Sequence, residues 1–242
     1  IQVVRIVNII DTTAPVITLI GDISMNHEKG TIYNDAGASA SDLSGIDLTS
    51  SIITVNNVDI HTVGSYSVTY DVSDNSGNQA IQVVRTVNVI DTTSPVITLI
   101  GDINMIHEKG TIYNDAGASA NDSSGIDLTS SIITVNNVDI HTIGSYSVTY
   151  DVSDNVGNQA IQVVRTVNVI DTTAPVITLI GDISMNVEKG TVYNDSGATA
   201  TDLSGIDLTS NIITVNNVDI NTIGSYSVTY DVSDNAGNQA IQ

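Results

Sequence analysis

The chain has 242 residues, with 6 Lys and Arg against 27 Asp and Glu, so its formal net charge is −21. A charge this negative argues against nucleic acid and anionic membrane surfaces as partners, since both would repel it. The sequence contains no Cys, which excludes disulfides, thiolate nucleophiles and cysteine-type zinc sites. Its apolar runs are too short to cross a bilayer. We therefore expect no membrane insertion in this section, and we interpret the chain, which starts at Ile1, as a window from a longer protein.

An 80-residue repeat organises the sequence. Residues 11–90 recur as 91–170 and again as 171–242, and the first two copies differ at only seven positions. Residues 1–10 match residues 81–90, so they correspond to the last strand of a preceding repeat. The predicted domains are that strand at 1–10, repeats at 11–90 and 91–170, and a third repeat at 171–242 that lacks most of its last strand. A period of 80 suits an independent β domain, since solenoid units usually span about 20–50 residues.

Each repeat is predicted to contain β-strands and no helix, because its apolar residues are mostly Val and Ile mixed with Thr and Ser. In the first copy Pro15 precedes a strand, and Tyr66 begins the clearest period-two alternation. Residues 75–78 have turn composition, which predicts a hairpin. The predicted strands in chain order are 16–20, 36–40, 52–55, 64–74 and 79–90, with short edge strands at 32–33 and 58–60. This pattern favours an all-β fold, a tandem array of small immunoglobulin-like β-sandwiches of about 80 residues each.

Four side chains receive specific predictions. Tyr66, two residues after Gly64, is placed as a tyrosine corner whose hydroxyl binds the chain upstream, and the alternative is an inward-facing core residue. Arg85 in the last strand is predicted to form an exposed ion pair with an Asp such as Asp71, a kind of pair that contributes little stability. Glu28 and Lys29 are interpreted as a solvated pair.

Four segments of the repeat carry a resemblance to a known family: DTTAPVITL, YNDAGASASD, GIDLTSSI and VGSYSVTYDVSDNSGNQA. They resemble the immunoglobulin-like repeats of large bacterial surface proteins, with hyalin-repeat and PKD-type modules as more distant relatives. The resemblance covers the whole repeat three times. It implies an extracellular tandem of β-sandwiches that serves as a stalk or adhesin segment and has no enzymatic activity.

The acidic residues suggest a cation site, because 24 of them are Asp and only 3 are Glu. Asp is favoured in turns and as a short, stiff oxygen ligand. Sandwich topology is expected to bring the loops at 41–49 and 74–78 beside the linker that begins at Asp11. Several hard oxygens around one point suit Ca²⁺, which takes about 6–8 oxygen ligands. The predicted ligands in the three copies are Asp11, Asp42, Asp47, Asp74, Asn75 and Asn78; Asp91, Asp122, Asp127, Asp154, Asn155 and Asn158; and Asp171, Asp202, Asp207, Asp234, Asn235 and Asn238.

Turn chemistry without any metal is the alternative for each of these side chains, since Asp and Asn also bind their own backbone at strand ends.

No catalytic set recurs in every copy: His27 and His107 are replaced by Val187 in the third. We therefore expect no enzyme. The predicted function is a structural spacer in an extracellular adhesin or surface fibre. The alternative is a module that binds carbohydrate or a receptor.

The partners expected are neighbouring copies of the repeat, and two hypotheses concern residues 1–10. In one, the chain is cut from a continuous array and these residues belong to the repeat before. In the other, they complete the third repeat of an identical chain by strand addition, which would propagate end to end as a filament.

Overall fold

The computed structural model describes residues 2–43, 45–203 and 205–240. The five remaining positions fall inside the predicted domains and lie outside the described residues. Within the described ranges the secondary structure is strand, with short 3₁₀ turns and no α-helix, which confirms the all-β prediction. The same ranges contain no helix long and apolar enough to span a membrane.

The strands follow one order in each repeat. The first repeat contains β1 (Val16–Leu19), β2 (Ser24–Glu28), β3 (Ala38–Ser41), a 3₁₀ turn (Thr49–Ser51), β4 (Ile53–Asn56), β5 (Gly64–Asp71) and β6 (Val83–Ile90). The second contains β7 (Val96–Leu99), β8 (Asn104–Glu108), β9 (Ala118–Asn121), a 3₁₀ turn (Thr129–Ser131), β10 (Ile133–Asn136), β11 (Gly144–Asp151) and β12 (Val163–Ile170). The third contains β13 (Val176–Leu179), β14 (Ala198–Thr201), a 3₁₀ turn (Thr209–Asn211), β15 (Ile213–Asn216) and β16 (Val228–Asp231).

The first of two compact units comprises Ile1–Val96 together with the loops Asn121–Leu128 and Ser153–Ala160. Its larger sheet has the order β2-β6-β5-β4, in which β2 runs parallel to β6 and the other pairs are antiparallel. A smaller sheet pairs β1 with β3, with Ile17 opposite Ala40. The core between the sheets contains Ile17, Val68, Val72 and Val87.

The second unit comprises Ile97–Ala120, Thr129–Val152 and Ile161–Gln242. It contains the sheet β10-β11-β12-β8 of the second repeat, with the same parallel pair at its edge. The third repeat contributes two separate two-stranded sheets, β13-β14 and β15-β16. Its small buried core contains Ala200, Leu208 and Val232.

The alternating sequence of β5 produces its buried face. Val68 and Tyr70 are fully buried and Val72, just beyond the strand, is 4 % exposed, while Thr69 and Asp71 between them lie half-buried. The β5–β6 hairpin confirms the prediction from the turn at 75–78. The tyrosine corner is also confirmed, because the Tyr66 hydroxyl donates to the carbonyl of Thr62 at 2.8 Å.

Two strand predictions are wrong. The predicted edge strands at 32–33 and 58–60 do not form, and around the second of them Asn56 and Asp59 accept hydrogen bonds from backbone N–H groups two residues on. That local bonding favours a turn over a ladder. Sequence analysis also missed β2, whose residues SMNHE do not alternate. It is extended because it pairs in parallel with β6, a tertiary contact that local sequence does not encode.

The prediction for Arg85 is wrong as well. Its side chain is 1 % exposed and its guanidinium pairs with Asp35, while Asp71 instead accepts from Gln82. Arg85 Nε also donates to the carbonyl of Asp22 at 3.0 Å and Nη1 to the Tyr70 hydroxyl at 3.2 Å. The arginine therefore ties its strand to the loops that flank the opposite sheet, from inside the core, where every donor needs an acceptor.

Candidate metal centre

Three aspartates converge in each repeat. In every set, one carboxylate oxygen from each residue lies within 4.8 Å of the other two. The acidic trios are Asp11, Asp42 and Asp74; Asp91, Asp122 and Asp154; and Asp171, Asp202 and Asp234. The middle member, which follows the strand equivalent to β3, is the most deeply buried, with Asp42, Asp122 and Asp202 each 5–7 % exposed.

Local turns fix two members of the first trio. Asp42 follows β3 and accepts from the N–H of Gly45 through its own carbonyl, in a turn closed by the positive φ of Gly45. Asp74 follows β5, and its Oδ1 accepts from the N–H groups of Ser76 and Asn78. Asn78 Nδ2 donates to Asp74 Oδ2 at 2.8 Å and to the carbonyl of Asp11 at 3.3 Å. Asn78 thereby holds the linker against the turn.

Hydrogen bonds lower the pKa of some of the trio carboxylates, Asp74 and Asp122 among them. The hydrogen bond from the Asn78 side chain lowers the pKa of Asp74. Burial alone would raise the pKa of Asp122, but hydrogen bonds from Ser124, Ser123 and Thr93 outweigh it and hold that pKa below its usual range. Carboxylates this close together repel one another when they are ionised, and a cation between them would relieve this repulsion.

A lysine from the preceding repeat lies beside the second trio. Lys29 Nζ donates to Asp91 Oδ2 at 2.9 Å and lies 4.0 Å from Asp122 Oδ2. This hydrogen bond raises the pKa of Lys29. A cavity of about 20 Å³ adjoins these groups and is lined also by Asp154 and Asn155, which is room for about one water or one ion.

The last residue of β2 and the loop after it carry the contacts to the next repeat. Glu28 accepts from the N–H and the hydroxyl of Thr92, each at 2.9 Å. Gly30, at φ +79°, lies so close to Ser124 that an added Cβ would be 3.4 Å from the Ser124 Cβ. The interpretation of Glu28 and Lys29 as a solvated pair is therefore wrong. The available signal was that each acidic copy has a single lysine, always at this position.

The same joint recurs 80 residues later. Lys109 Nζ donates to Asp171 Oδ2 at 3.0 Å, and Glu108 accepts from the N–H and the hydroxyl of Thr172, each at 2.8 Å. Asn238 Nδ2 donates to the carbonyl of Asp171 and to Asp234 Oδ2, as Asn78 does in the first repeat.

The remaining predicted ligands lie outside the trios. Asp47 Oδ1 accepts from the N–H of Thr49, and its backbone bridges Ser41; Asp127 and Asp207 bridge in the same way. The amide nitrogens of Asn78, Asn158 and Asn238 donate to the third Asp of each trio. Asn155 lines the cavity, and Asn75 and Asn235 are exposed residues in the equivalent turns.

The trios suit a hard cation in donor type and in distance. Two oxygens bound to one Ca²⁺ at about 2.3–2.6 Å lie at most about 5 Å apart, and each trio meets that limit. All three donors are carboxylates, and the chain has no thiolate for a softer metal.

Comparison with known proteins identifies the family of the repeats. The family model described as "Bacterial surface protein, Ig-like domain" matches residues 17–89, 97–169 and 177–242. The chain belongs to this family. The prediction of tandem immunoglobulin-like β-sandwiches of the bacterial surface type is thus confirmed.

Hyalin is a relative of these Ig-like repeats. Hyalin from Strongylocentrotus purpuratus is 32 % identical over 257 residues, which cover 97 % of this chain and 20 % of that protein. Hyalin from Lytechinus variegatus is 36 % identical over 255 residues, 96 % of this chain and 46 % of that protein. The chain thus spans less than half the length of these relatives. Among solved structures, the fibronectin(III)-like modules of Clostridium thermocellum CbhA are 16 % identical and match with a TM-score of 0.27 over 64 % of this chain and 94 % of theirs.

Proposed function

We propose that these repeats form a spacer section of a long extracellular surface protein, which holds distance and transforms no substrate. The observation that supports this most directly is the repeated joint. Glu28 and Lys29 bind Thr92 and Asp91 at the start of the next repeat, and the same contacts recur 80 residues later. A spacer needs one standard joint, because each added repeat then adds the same increment of length.

Insertion of a fourth repeat tests this proposal. A duplicate of residues 91–170 is placed between residues 170 and 171, and the maximum dimension is measured by small-angle scattering. Strands of about ten residues at about 3.4 Å per residue predict an increase of roughly 30–40 Å. An unchanged maximum dimension would contradict the spacer function, since the added repeat would then have folded back on its neighbours.

The finer proposal is that Ca²⁺ stiffens the joints by binding the acidic trios. Its support is the donor set: three carboxylates within 4.8 Å in each repeat, in a chain of net charge −21. The relief of repulsion among these carboxylates would favour binding of the ion. In the first repeat the bound ion would hold together the linker at Asp11, the loop at Asp42 and the loop at Asp74.

Calorimetry and thermal melting with Ca²⁺ or a chelator test the calcium proposal. We expect Ca²⁺ to raise the melting temperature of the wild type and to have little effect on a variant with Asp42→Asn, Asp122→Asn and Asp202→Asn. The matched control carries Asp59→Asn, Asp139→Asn and Asp219→Asn, which removes three charges outside the trios and should respond like wild type. Equal responses of the two triple variants would reduce the effect to general screening.

A further inference from the structure

β4 forms a free edge of the larger sheet in the first repeat. The sheet has the order β2-β6-β5-β4, so among the described residues β4 has a partner strand on one side only. The smaller sheet differs, because the loop after β3 covers the outer side of that strand. There the N–H of Leu48 donates to the carbonyl of Ala40 at 2.8 Å, and Ser41 bridges Asp47. The edge at β4 therefore keeps main-chain groups available for a further strand.

The ladder between β4 and β5 determines which main-chain groups face the open side. One residue beyond β4, the N–H of Asn57 donates to the carbonyl of Ser67 at 3.2 Å. Residues bonded to the neighbouring strand alternate in an antiparallel ladder, so every second residue of β4 is bonded to β5 in the same way. Thr54 and Asn56 lie between those residues, and they direct their N–H and C=O groups away from β5.

The side chains of this edge are uncharged, and two of them are apolar. β4 has the sequence ITVN, in which Ile53 is 66 % exposed and Val55 is 47 % exposed. Both lie on the outer face of the sheet, because they are opposite the half-buried Asp71 and Thr69 of β5 and not opposite its buried residues. Sheet edges are commonly protected from pairing by a lysine, a proline or another charge, and β4 contains none of these.

The same edge recurs in every repeat, including the middle one, which has a repeat on each side of it in the sequence. β10 and β15 have the same four residues as β4, and they pair with β11 and β16 in the same register. Ile133 and Val135 are 66 % and 48 % exposed, and Ile213 and Val215 are 66 % and 46 % exposed. Within the described part of the chain, a neighbouring repeat thus covers none of the three edges.

Charge determines which partner suits this edge. The chain has a net charge of −21, so two copies repel each other and can approach only through a surface that carries no charge. A basic partner would find its complement on the acidic surface elsewhere. The edge is also complementary to itself, because antiparallel pairing of two β4 strands satisfies the same main-chain groups on both copies about a twofold axis.

We propose that β4 pairs antiparallel with β4 of a second copy of this chain, with Val55 facing its counterpart on the twofold axis, and that β10 and β15 offer the same contact. In this register Thr54 and Asn56 form hydrogen-bonded pairs with Asn56 and Thr54 of the second copy. The two Val55 residues form a pair without mutual hydrogen bonds, in which side chains approach most closely. Ile53 of each copy lies diagonally beside that pair, and the two sheets become one.

The same register separates the carboxylates of the adjoining strands. Asp71 is opposite Ile53 at one end of β4, and the twofold axis places Asp71 of the second copy at the other end. Three strand spacings of about 4.8 Å and four residues at about 3.4 Å put the two carboxylates roughly 20 Å apart. This distance is more than twice the Debye length of about 8 Å at physiological ionic strength, so their repulsion is screened.

Self-association of the full 242-residue chain, measured by analytical ultracentrifugation in a chelator, tests the edge. We expect concentration-dependent association of the wild type. A lysine variant, which places like charges opposite each other across the axis, should associate about 10-fold more weakly or worse; it carries Val55→Lys, Val135→Lys and Val215→Lys. The matched control makes the same change at positions that are 64–67 % exposed outside the edge; it carries Val16→Lys, Val96→Lys and Val176→Lys. It should associate at least as well as the wild type, because its net charge is less negative.

A proline variant tests the main-chain hydrogen bonds separately from the side chains. Because the N–H of residue 54 faces the open side, proline there removes one outward donor and leaves the ladder to β5 intact. The variant carries Thr54→Pro, Thr134→Pro and Thr214→Pro. Two hydrogen bonds are lost at each contact, so association should again weaken about 10-fold or more. Circular dichroism like that of the wild type would show that the fold is retained.

Disulfide trapping tests the register, because the chain has no cysteine of its own. Facing residues of a pair without mutual hydrogen bonds have Cα atoms about 4.5 Å apart, a distance that a disulfide spans. Rapid cross-linking between chains is therefore expected for the variant with Val55→Cys, Val135→Cys and Val215→Cys. In the matched control with Ile53→Cys, Ile133→Cys and Ile213→Cys the facing Cα atoms are roughly 14 Å apart, so it should cross-link slowly.

The outcomes separate strand pairing from other contacts. Association that the lysine and proline variants weaken, with rapid trapping at residue 55 alone, supports the pairing of β4 strands. Association that only the lysine variant weakens, with equal trapping in both cysteine variants, overturns strand pairing and assigns the contact to the outer faces. A wild type that stays monomeric overturns self-pairing, even if a peptide of residues 52–57 binds the edge. The chelator makes each result independent of the calcium proposal.

Discussion

Lys29 provides the most informative single substitution at a joint, because its removal has two consequences of opposite sign. Lys29→Met keeps the length of the side chain and removes the ammonium group beside Asp91 and Asp122. Without a divalent cation, the change should destabilise the joint, since the second trio loses the positive charge beside it. With Ca²⁺, the same change should strengthen ion binding, because the competing ammonium group is gone.

The expected magnitude follows from burial. The Lys29 side chain is 14 % exposed and that of Asp91 is 3 % exposed, so the pair lies between a surface pair, worth about 0–1 kcal/mol, and a buried one, whose disruption costs about 3–5 kcal/mol. A hydrogen bond between charged groups contributes about 1.5–3 kcal/mol. We therefore expect Lys29→Met to lower the free energy of unfolding by about 1.5–3 kcal/mol in a chelator.

Urea unfolding in a chelator and calcium titration by calorimetry measure the two effects. Lys189→Met is the matched control: it changes the same residue in the same sequence context, and residue 189 is exposed. At concentrations where the chain is monomeric it should change stability by less than about 0.5 kcal/mol. The reasoning is refuted if Lys29→Met and Lys189→Met lose the same stability, or if Lys29→Met binds Ca²⁺ more weakly than the wild type.

Three other substitutions or conditions probe the core that supports the joints. Arg85→Met should destabilise the first repeat by about 3–5 kcal/mol because it leaves Asp35 without its buried partner, and adding Asp35→Asn should restore part of that loss in a double-mutant cycle. Tyr66→Phe should cost about 1 kcal/mol in urea unfolding, since it removes the hydrogen bond to Thr62, whereas equal stability would show that the corner is only apolar packing. Burial alone would raise the pKa of Asp35, but hydrogen bonds from Tyr70 and Tyr33 and the charge of Arg85 lower it. The stability that ionised Asp35 contributes is therefore present above the unfolded pKa of about 3.9 and is lost as the pH falls through the folded pKa. The melting temperature should accordingly fall below about pH 4, and it should fall less in the double variant Arg85→Met with Asp35→Asn.

The sequence predicted the strands whose own residues carry the signal. The alternation from Tyr66 to Val72 has period two because one face of β5 is buried, and the turn at 75–78 is local, so both could be placed from the sequence. β2 could not be placed, because it is a strand only by pairing with β6, about 60 residues away. The burial of Arg85 was missed for a related reason: its acceptors are Asp35 and the carbonyls of Ile20, Asp22 and Gly37, in loops beside the opposite sheet.

In the candidate metal site, too, one feature could be predicted from the sequence and another depended on a distant contact. Convergence of Asp11, Asp42 and Asp74 was predicted because it follows from which strand ends share one end of a sandwich. The position of Lys29 was missed because it depends on how the loop after β2 meets the following repeat, through Gly30 and Ser124. Composition still held a clue, since each acidic copy has a single lysine, always at this position.

All six positive side chains of the chain occupy two equivalent positions of the repeat: a lysine in the loop after the second strand and an arginine in the last strand. Lys29, Lys109, Arg85 and Arg165 each pair with an aspartate that a joint or a strand depends on. Lys189 and Arg5 hold the same two positions and are exposed. Since the paired lysine serves a joint and the paired arginine serves the core, the loss of a paired cation should destabilise the chain more than the same substitution at the exposed Lys189 or Arg5.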